Sequence, residues 1–323
     1  MDLIDSDSLV LGLALLAAGL LLTIYWWLHH GRRQSLGPAS DPEVTSFTSL
    51  ETQMAEVDGW SIRYHLSGDQ TGPAMVLVHG IGANLFCWRA LVKILGHKAS
   101  VLALDLPGFG GSSKDPHARY GLDDQAERLV KFLDHLGIQK CYLVGNSMGA
   151  NISLAVGLKF PERVLGVVAI APATSPRLVP ALWLTAPPWM WLASPASRIL
   201  HRRYLRAMHS RSVFRQDLIE DGRIEESFRT YGGNSAAVRT LLLATAAIRD
   251  QRLPSLFKDL KCRVLILWGS HDSLVGKKDI AALEAVLPAH ESHVHLGAGH
   301  HLQEDEPEWV ADKILSFFPI TKS

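Results

Sequence analysis

The stretch Cys141-Tyr142-Leu143-Val144-Gly145-Asn146-Ser147-Met148-Gly149 decides the fold. Its first four residues form a continuous apolar run, the pattern of a strand covered on both faces. A segment with helical spacing follows, in which Ile152, Ala155, Val156 and Leu158 recur on one side. Between the two, a glycine stands two positions either side of a serine. This G-x-S-x-G pattern belongs to a sharp strand–turn–helix that lifts a serine hydroxyl above the sheet edge. A β-carbon at either flank is expected to collide with neighbouring backbone, so glycine is required twice. The new helix points its N-terminal N–H groups at the same place.

Working outward, further apolar runs lie at residues 74–78, 101–104, 164–170 and 264–268, with a last strand expected at 292–296. Helical spacing fills the intervals, with helices expected around residues 88–95, at 122–136, around 279–286 and at 308–318. Residues 44–66 alternate and predict an antiparallel pair turned at Asp58-Gly59. Strands alternating with helices at this spacing predict an α/β fold with a mostly parallel, twisted sheet and helices on both faces. The alternation breaks at Ala171. From there to about Asp250 the chain reads as helical and proline-interrupted, a cap inserted after the sixth strand. The division expected is therefore a core of residues 45–171 and 251–319 and a helical cap of 172–250.

The formal charge balances to zero and there is no long basic block, which argues against a nucleic-acid partner. Cys87, Cys141 and Cys262 lack C-x-x-C spacing, so neither a disulfide framework nor a zinc site is suggested. Residues 9–28 form an uncharged apolar stretch of about twenty residues, long enough to cross ~30 Å of hydrocarbon as a helix. Tyr25, Trp26 and Trp27 close it as an interfacial belt would. Asp2, Asp5 and Asp7 precede it and Arg32 and Arg33 follow, the reverse of a cleavable signal peptide. An N-terminal transmembrane anchor over residues 1–33 is expected, with the remainder in the cytoplasm, joined through a Ser/Gly/Pro-rich linker of residues 34–44.

A serine hydroxyl is a poor nucleophile at neutral pH and needs a base within reach, itself oriented by a carboxylate. Asp272 follows the apolar run 264–268, and His300 follows the last strand in Gly297-Ala298-Gly299-His300. Both fall outside the carboxyl ends of strands, where ligands approach an open α/β sheet. The order Ser147, Asp272, His300 is expected to be the catalytic triad. His301 is the neighbouring rival for base, with His271 read as a loop residue. Asp250 and Asp105 are rival carboxylates, Asp105 being expected to fix its own loop. The backbone N–H groups of Met148 and Ile81 are the expected oxyanion donors, with Gly82 beside Ile81 and His79 supporting that loop. Trp183, Trp189 and Trp191, with Leu182, Leu184 and Met190, line an acyl pocket, touch the bilayer, or simply pack the cap.

Taken together, His79-Gly80, the Asp105-Leu106-Pro107-Gly108-Phe109-Gly110-Gly111-Ser112 stretch, the elbow, Trp268-Gly269-Ser270-His271-Asp272 and Gly299-His300 resemble the α/β-hydrolase superfamily over residues 44–318. Glu306-Pro307-Glu308 fits that superfamily's last loop and helix. Within it, a membrane anchor on a capped serine hydrolase is similar to the membrane-bound monoacylglycerol lipases and related carboxylesterases. That resemblance implies cleavage of carboxylic esters, lipid-like acyl esters such as monoacylglycerols, without cofactor or metal. The Asn-Ser-Met elbow also resembles the meta-cleavage product hydrolases, although His79-Gly80-Ile81-Gly82-Ala83-Asn84 departs from their His-Gly-x-Gly-Pro-Gly loop. A carbon–carbon bond hydrolase, a thioesterase and a non-catalytic ligand-binding protein are the alternatives. Haloalkane dehalogenases and epoxide hydrolases would carry aspartate where Ser147 stands.

Overall fold

Apolar runs become the middle of an eight-stranded sheet in a computed structural model that describes residues 49–69, 72–174, 197–198, 200–247 and 255–318. All of these belong to one unit, Gly37–Ser323. The strands are β1 (Gln53–Val57), β2 (Trp60–Ser67), β3 (Ala74–Val78), β4 (Val101–Leu104), β5 (Cys141–Asn146), β6 (Val164–Ile170), β7 (Arg263–Gly269) and β8 (His290–His295). Their order across the sheet is β1-β2-β4-β3-β5-β6-β7-β8. β1 and β2 pair antiparallel around Asp58 and Gly59, both at positive φ, and β2 pairs antiparallel with β4. The pairings from β4 through β8 are parallel.

β3 and β4 are buried along their whole length, as continuous apolar runs covered on both faces must be. β8 differs. It begins two residues before the expected strand and is largely exposed. Its residues, His290-Glu291-Ser292-His293, carry no apolar signal, because an edge strand has only one paired side and tolerates polar side chains.

The helices of the core are α1 (Arg89–Gly96), α2 (Leu122–His135) and α3 (Met148–Lys159). Those of the cap are α4 (Arg202–Ser212), α5 (Asp221–Tyr231) and α6 (Ser235–Ala247), and the core resumes with α7 (Lys277–Glu284), α8 (Leu302–Asp305) and α9 (Pro307–Phe317). In the core, α2 packs against α3 and α1 against α9, giving the two helical layers expected. Residues Met148 to Gly157 of α3 are all buried, so the helix lacks a polar face. After β6 the chain turns at Ala171, at φ 45°, whose N–H still donates to Leu267 O at 2.8 Å. It then leaves the sheet for the cap, whose described elements are helical.

No helix among the described residues is long and apolar enough to cross a membrane. The expected anchor at residues 9–28 and the linker at 34–44 lie outside the described residues.

Candidate active site

The elbow forms at the C-terminal end of β5. Ser147 sits at φ 56° and ψ −117°, a conformation that costs a non-glycine residue about 1–3 kcal/mol. The flanking glycines make the turn possible. A β-carbon on Gly145 would lie 2.3 Å from Gly149 O, and one on Gly149 would lie 2.1 Å from Val78 O. Both approaches are to backbone, so no side-chain movement relieves them. Ser147 N–H donates to Ile170 O at 2.9 Å, which ties the turn to β6.

Beside the serine lies the loop after β3. A β-carbon on Gly80 would be 3.1 Å from Ser147 Cβ, so Gly80 borders Ser147 directly. Gly82 is at φ 71°, a conformation glycine adopts freely. Buried His79 braces this loop. Its Nδ1 donates to Gly80 O at 2.7 Å, while its Nε2 accepts from Leu106 N–H at 3.1 Å. Only the neutral Nδ1–H tautomer serves both bonds, and burial holds the imidazole below its ordinary pKa. Among the described residues, the backbone hydrogen bonds outside helices and strands use neither Ile81 N–H nor Met148 N–H.

Asp272 and His300 come from the loops after β7 and β8 and meet each other. Asp272 divides its oxygens: Oδ1 accepts from Leu274 N–H at 2.7 Å and Val275 N–H at 2.9 Å, and Oδ2 faces His300 Nδ1 at 2.8 Å. Nδ1 is therefore the ring nitrogen turned to the carboxylate, and Nε2 is the one turned away from it. The two loops touch through backbone, since a β-carbon on Gly269 would be 2.3 Å from Ala298 O. Among the described residues, no hydrogen bond joins Ser147 Oγ to His300 in this conformation. Unliganded sites often hold that contact open and tighten it around substrate.

The rivals separate cleanly. His301 points elsewhere, its Nδ1 on Glu304 Oε1 at 2.8 Å. His271 is exposed, bonds Ser270 Oγ at 3.1 Å and lies 4.6 Å from the Phe214 ring. Asp105 fixes its own loop, as expected. Its Oδ1 accepts from Leu85 N–H at 2.6 Å, and its Oδ2 from Gly111 N–H at 2.7 Å and Arg63 Nε at 2.5 Å. Asp250, Trp183, Trp189 and Trp191 lie outside the described residues.

Sequence reasoning passed over three groups. Asn146 Nδ2 donates to His300 O at 3.0 Å and to Ile170 O at 3.3 Å, so the residue before the serine holds the histidine loop. Its only signal is a polar side chain at the end of an otherwise apolar strand. Glu304, buried, gathers Arg89 of α1 at 2.8 Å, Arg223 of α5 and His301. Arg63 of β2, besides Asp105, reaches Glu226 of α5 at 2.8 Å. These pairs seat the cap helix α5 on the core. Nothing local marks them, because the partners lie 81 and 163 residues apart.

A parallel sheet carrying a strained serine after β5 and an Asp–His pair after β7 and β8 is the layout of an α/β hydrolase. The chain belongs to the alpha/beta hydrolase fold family, whose pattern it matches over residues 73–307. It is 31% identical over 274 residues to the dihydrolipoyllysine-residue acetyltransferase component of the acetoin cleaving system of Pseudomonas putida, covering 82% of this chain and 68% of that protein. It is 27% identical over 280 residues to haloalkane dehalogenase 2 of Mycobacterium bovis, covering 79% of this chain and 91% of that one. Among solved structures it is similar to a membrane phospholipase A described as a bacterial virulence factor, with a TM-score of 0.69 and 24% identity over 96% of each chain. At that identity the likeness is one of fold. The names span several chemistries, so the reaction has to be argued from the site.

Proposed function

We propose that the protein is a membrane-anchored carboxylic ester hydrolase acting on lipid-like acyl esters such as monoacylglycerols. One observation carries the reading: His300 Nδ1 meets Asp272 Oδ2 at 2.8 Å, with Nε2 turned away from the carboxylate, on the same sheet edge as the strained Ser147. Ser147 Oγ attacks the ester carbonyl carbon while His300 Nε2 takes its proton. Asp272 holds the imidazole in the required tautomer and stabilises the imidazolium. The Ile81 and Met148 N–H groups receive the oxyanion, a contribution worth ~10²–10³ in turnover per donor. The tetrahedral intermediate collapses, the C–O bond breaks, and His300 returns its proton to the departing alcohol. Water then repeats the sequence on the acyl-enzyme, releasing the acid and restoring Ser147. Serine at the nucleophile position favours this chemistry over that of the dehalogenase relative, since halide displacement of that type uses a carboxylate nucleophile.

Purified full-length protein should hydrolyse p-nitrophenyl and monoacylglycerol esters, turning over long-chain acyl esters faster than acetyl esters. Measured beside acyl thioesters and a vinylogous diketone, a faster turnover of either would replace the ester reading with a thioesterase or carbon–carbon bond hydrolase.

The membrane part of the reading rests on the apolar residues 9–28 and the flanking Arg32 and Arg33. An apolar span without a charged face inserts, in practice, irreversibly. The chain should therefore stay with membranes through carbonate washing at alkaline pH and leave only with detergent. Recovery in the alkaline supernatant would remove the anchor from the proposal. The same reading puts residues 34 onward on the cytoplasmic side, where protease added outside intact cells does not reach.

A further inference from the structure

The cap is stitched to both catalytic loops through one short segment, residues 211–215, at the end of α4. Asp305, buried in α8, is the main stitch. Its Oδ2 accepts from Gly299 N–H at 2.8 Å, immediately before His300. The same carboxylate accepts from Phe214 N–H at 3.0 and 3.1 Å and from Arg215 N–H at 2.9 Å. His301 N–H donates to Ser212 O at 2.9 Å, and Ser273 Oγ, next to Asp272, donates to Arg211 O at 3.1 Å. The backbones are nearly in contact, since a β-carbon on Gly299 would be 3.0 Å from Phe214 N. On the acid side, the Phe214 ring lies over His271, with 4.6 Å between centroids. Gly299, His301 and Ser273, each directly before or after a member of the Asp272–His300 pair, are all held this way.

We infer that Asp305 is a positioning residue for the base: it fixes the loop of His300 by clamping it to the cap segment 211–215, which makes the cap a working part of the catalytic centre. A carboxylate suits this role because it has two oxygens and no donor, and three convergent N–H groups can all be accepted at once. An amide of the same shape offers one acceptor and turns a donor toward the remaining N–H groups. Loosening the clamp moves the imaginary line from Nε2 to Ser147 Oγ, and a misplacement of ~1 Å costs about 10²-fold in rate. The proposal rests on the reading of Ser147 as nucleophile and His300 as base, but not on which ester is cleaved.

The test uses full-length protein in detergent and a fluorophosphonate probe. Ser147 Oγ forms the O–P bond, the P–F bond breaks with loss of fluoride, and the serine proton passes through the base to water. The rate constant, normalised to the serine that eventually reacts, depends on the geometry of the serine–histidine pair and on no ester. Asp305→Asn should lower it roughly 10- to 100-fold while leaving KM for a hydrolysed ester within about twofold, because the clamp touches the base and not the substrate. Ser273→Ala, at an exposed position, should fold normally and lower it about threefold. Hydrogen exchange should show residues 211–215 and 297–301 losing protection together in Asp305→Asn. Glu225→Ala, which breaks the exposed cap pair with Arg202, is the control and should leave the rate unchanged. A purely structural Asp305 would lower thermal stability but leave the normalised rate at the parent value, and that result overturns the proposal. If Asp305→Asn does not fold, an unaltered rate in Ser273→Ala overturns it equally. Failure of the parent itself to react would instead remove the nucleophile reading on which the proposal stands.

Discussion

His300→Ala and Ser147→Ala are each expected to lower ester turnover by about 10⁴–10⁶-fold, without unfolding the protein. The two groups act as one unit, so removing either leaves only what the oxyanion donors and binding contribute. Asp272→Asn should cost about 10⁴-fold for a more particular reason. The present Nδ1–H donates to Oδ2 at 2.8 Å, and an amide NH2 in that place would demand the other tautomer. Nε2 would then carry a hydrogen and could accept none. His301→Ala is the decisive comparison, because its Nδ1 faces Glu304 rather than Asp272. That variant should lose thermal stability but keep most of its turnover per folded molecule. Steady-state rates on one ester, with circular dichroism as the check on folding, settle the matter. Inactivation by His301→Ala with a harmless His300→Ala would reverse the assignment.

Glu304→Gln is expected to destabilise the protein by about 3–5 kcal/mol, as removal of one member of a buried ion pair does. Glu304 is the hub. Arg89, Arg223 and His301 all converge on it, and both guanidinium partners are almost wholly shielded from water. Neutralising it removes the one carboxylate that Arg89 and Arg223 share, although Arg89 keeps Glu220 at 3.1 Å. Arg223→Leu should cost less, because Glu304 then keeps Arg89 and His301. Urea unfolding of the two variants checks the order, and equal losses would mean that the charges are not coupled through Glu304.

The same cluster sets an acid limit. Burial works against ionising Glu304, but Arg223, the His301 hydrogen bond and Arg89 outweigh it and hold the carboxyl well below its usual range. A depressed carboxyl contributes stability above its unfolded value of 4.5, and that contribution is lost as pH falls through the folded value. His209 of α4 adds to the effect. Burial, with the Arg223 and His301 charges beside it, pushes its imidazole down from 6.5 to about 3. Between those values the unfolded chain binds a proton that the folded chain does not, so stability falls as pH drops from 6.5. Unfolding midpoints should therefore decline first between pH 6.5 and 4.5, and more steeply below. In His209→Gln the upper part of that decline should be reduced.

Much of this protein is legible in its sequence because the determining physics is local. A strand buried on both faces must be apolar throughout, and β3, β4 and β6 coincide with the runs at 74–78, 101–104 and 164–170. The elbow needs glycine where a β-carbon would meet backbone, so Gly145, Ser147 and Gly149 mark the turn in the sequence itself. Asp272 follows a strand with a plain apolar signature, and it meets His300 from the neighbouring loop. β8 starts at His290, two residues before the strand its apolar residues predict, because an edge strand owes little to hydrophobicity.

What only the tertiary structure decided is which polar groups meet across the chain. Two adjacent histidines are indistinguishable by spacing, and the loop's direction alone gives His300 to Asp272 and His301 to Glu304. Asn146 reaches the backbone of His300 across 154 residues, and Arg63 joins β2 to the cap helix α5. Burial of a charge or an amide is tolerable only with a partner in place, and a partner is fixed by the packing of separate elements. Apolar periodicity therefore wrote the sheet and the elbow into the sequence. The hydrogen bonds and ion pairs that hold the cap helix and the His300 loop exist only once the chain has folded, because each joins groups that have no local relation.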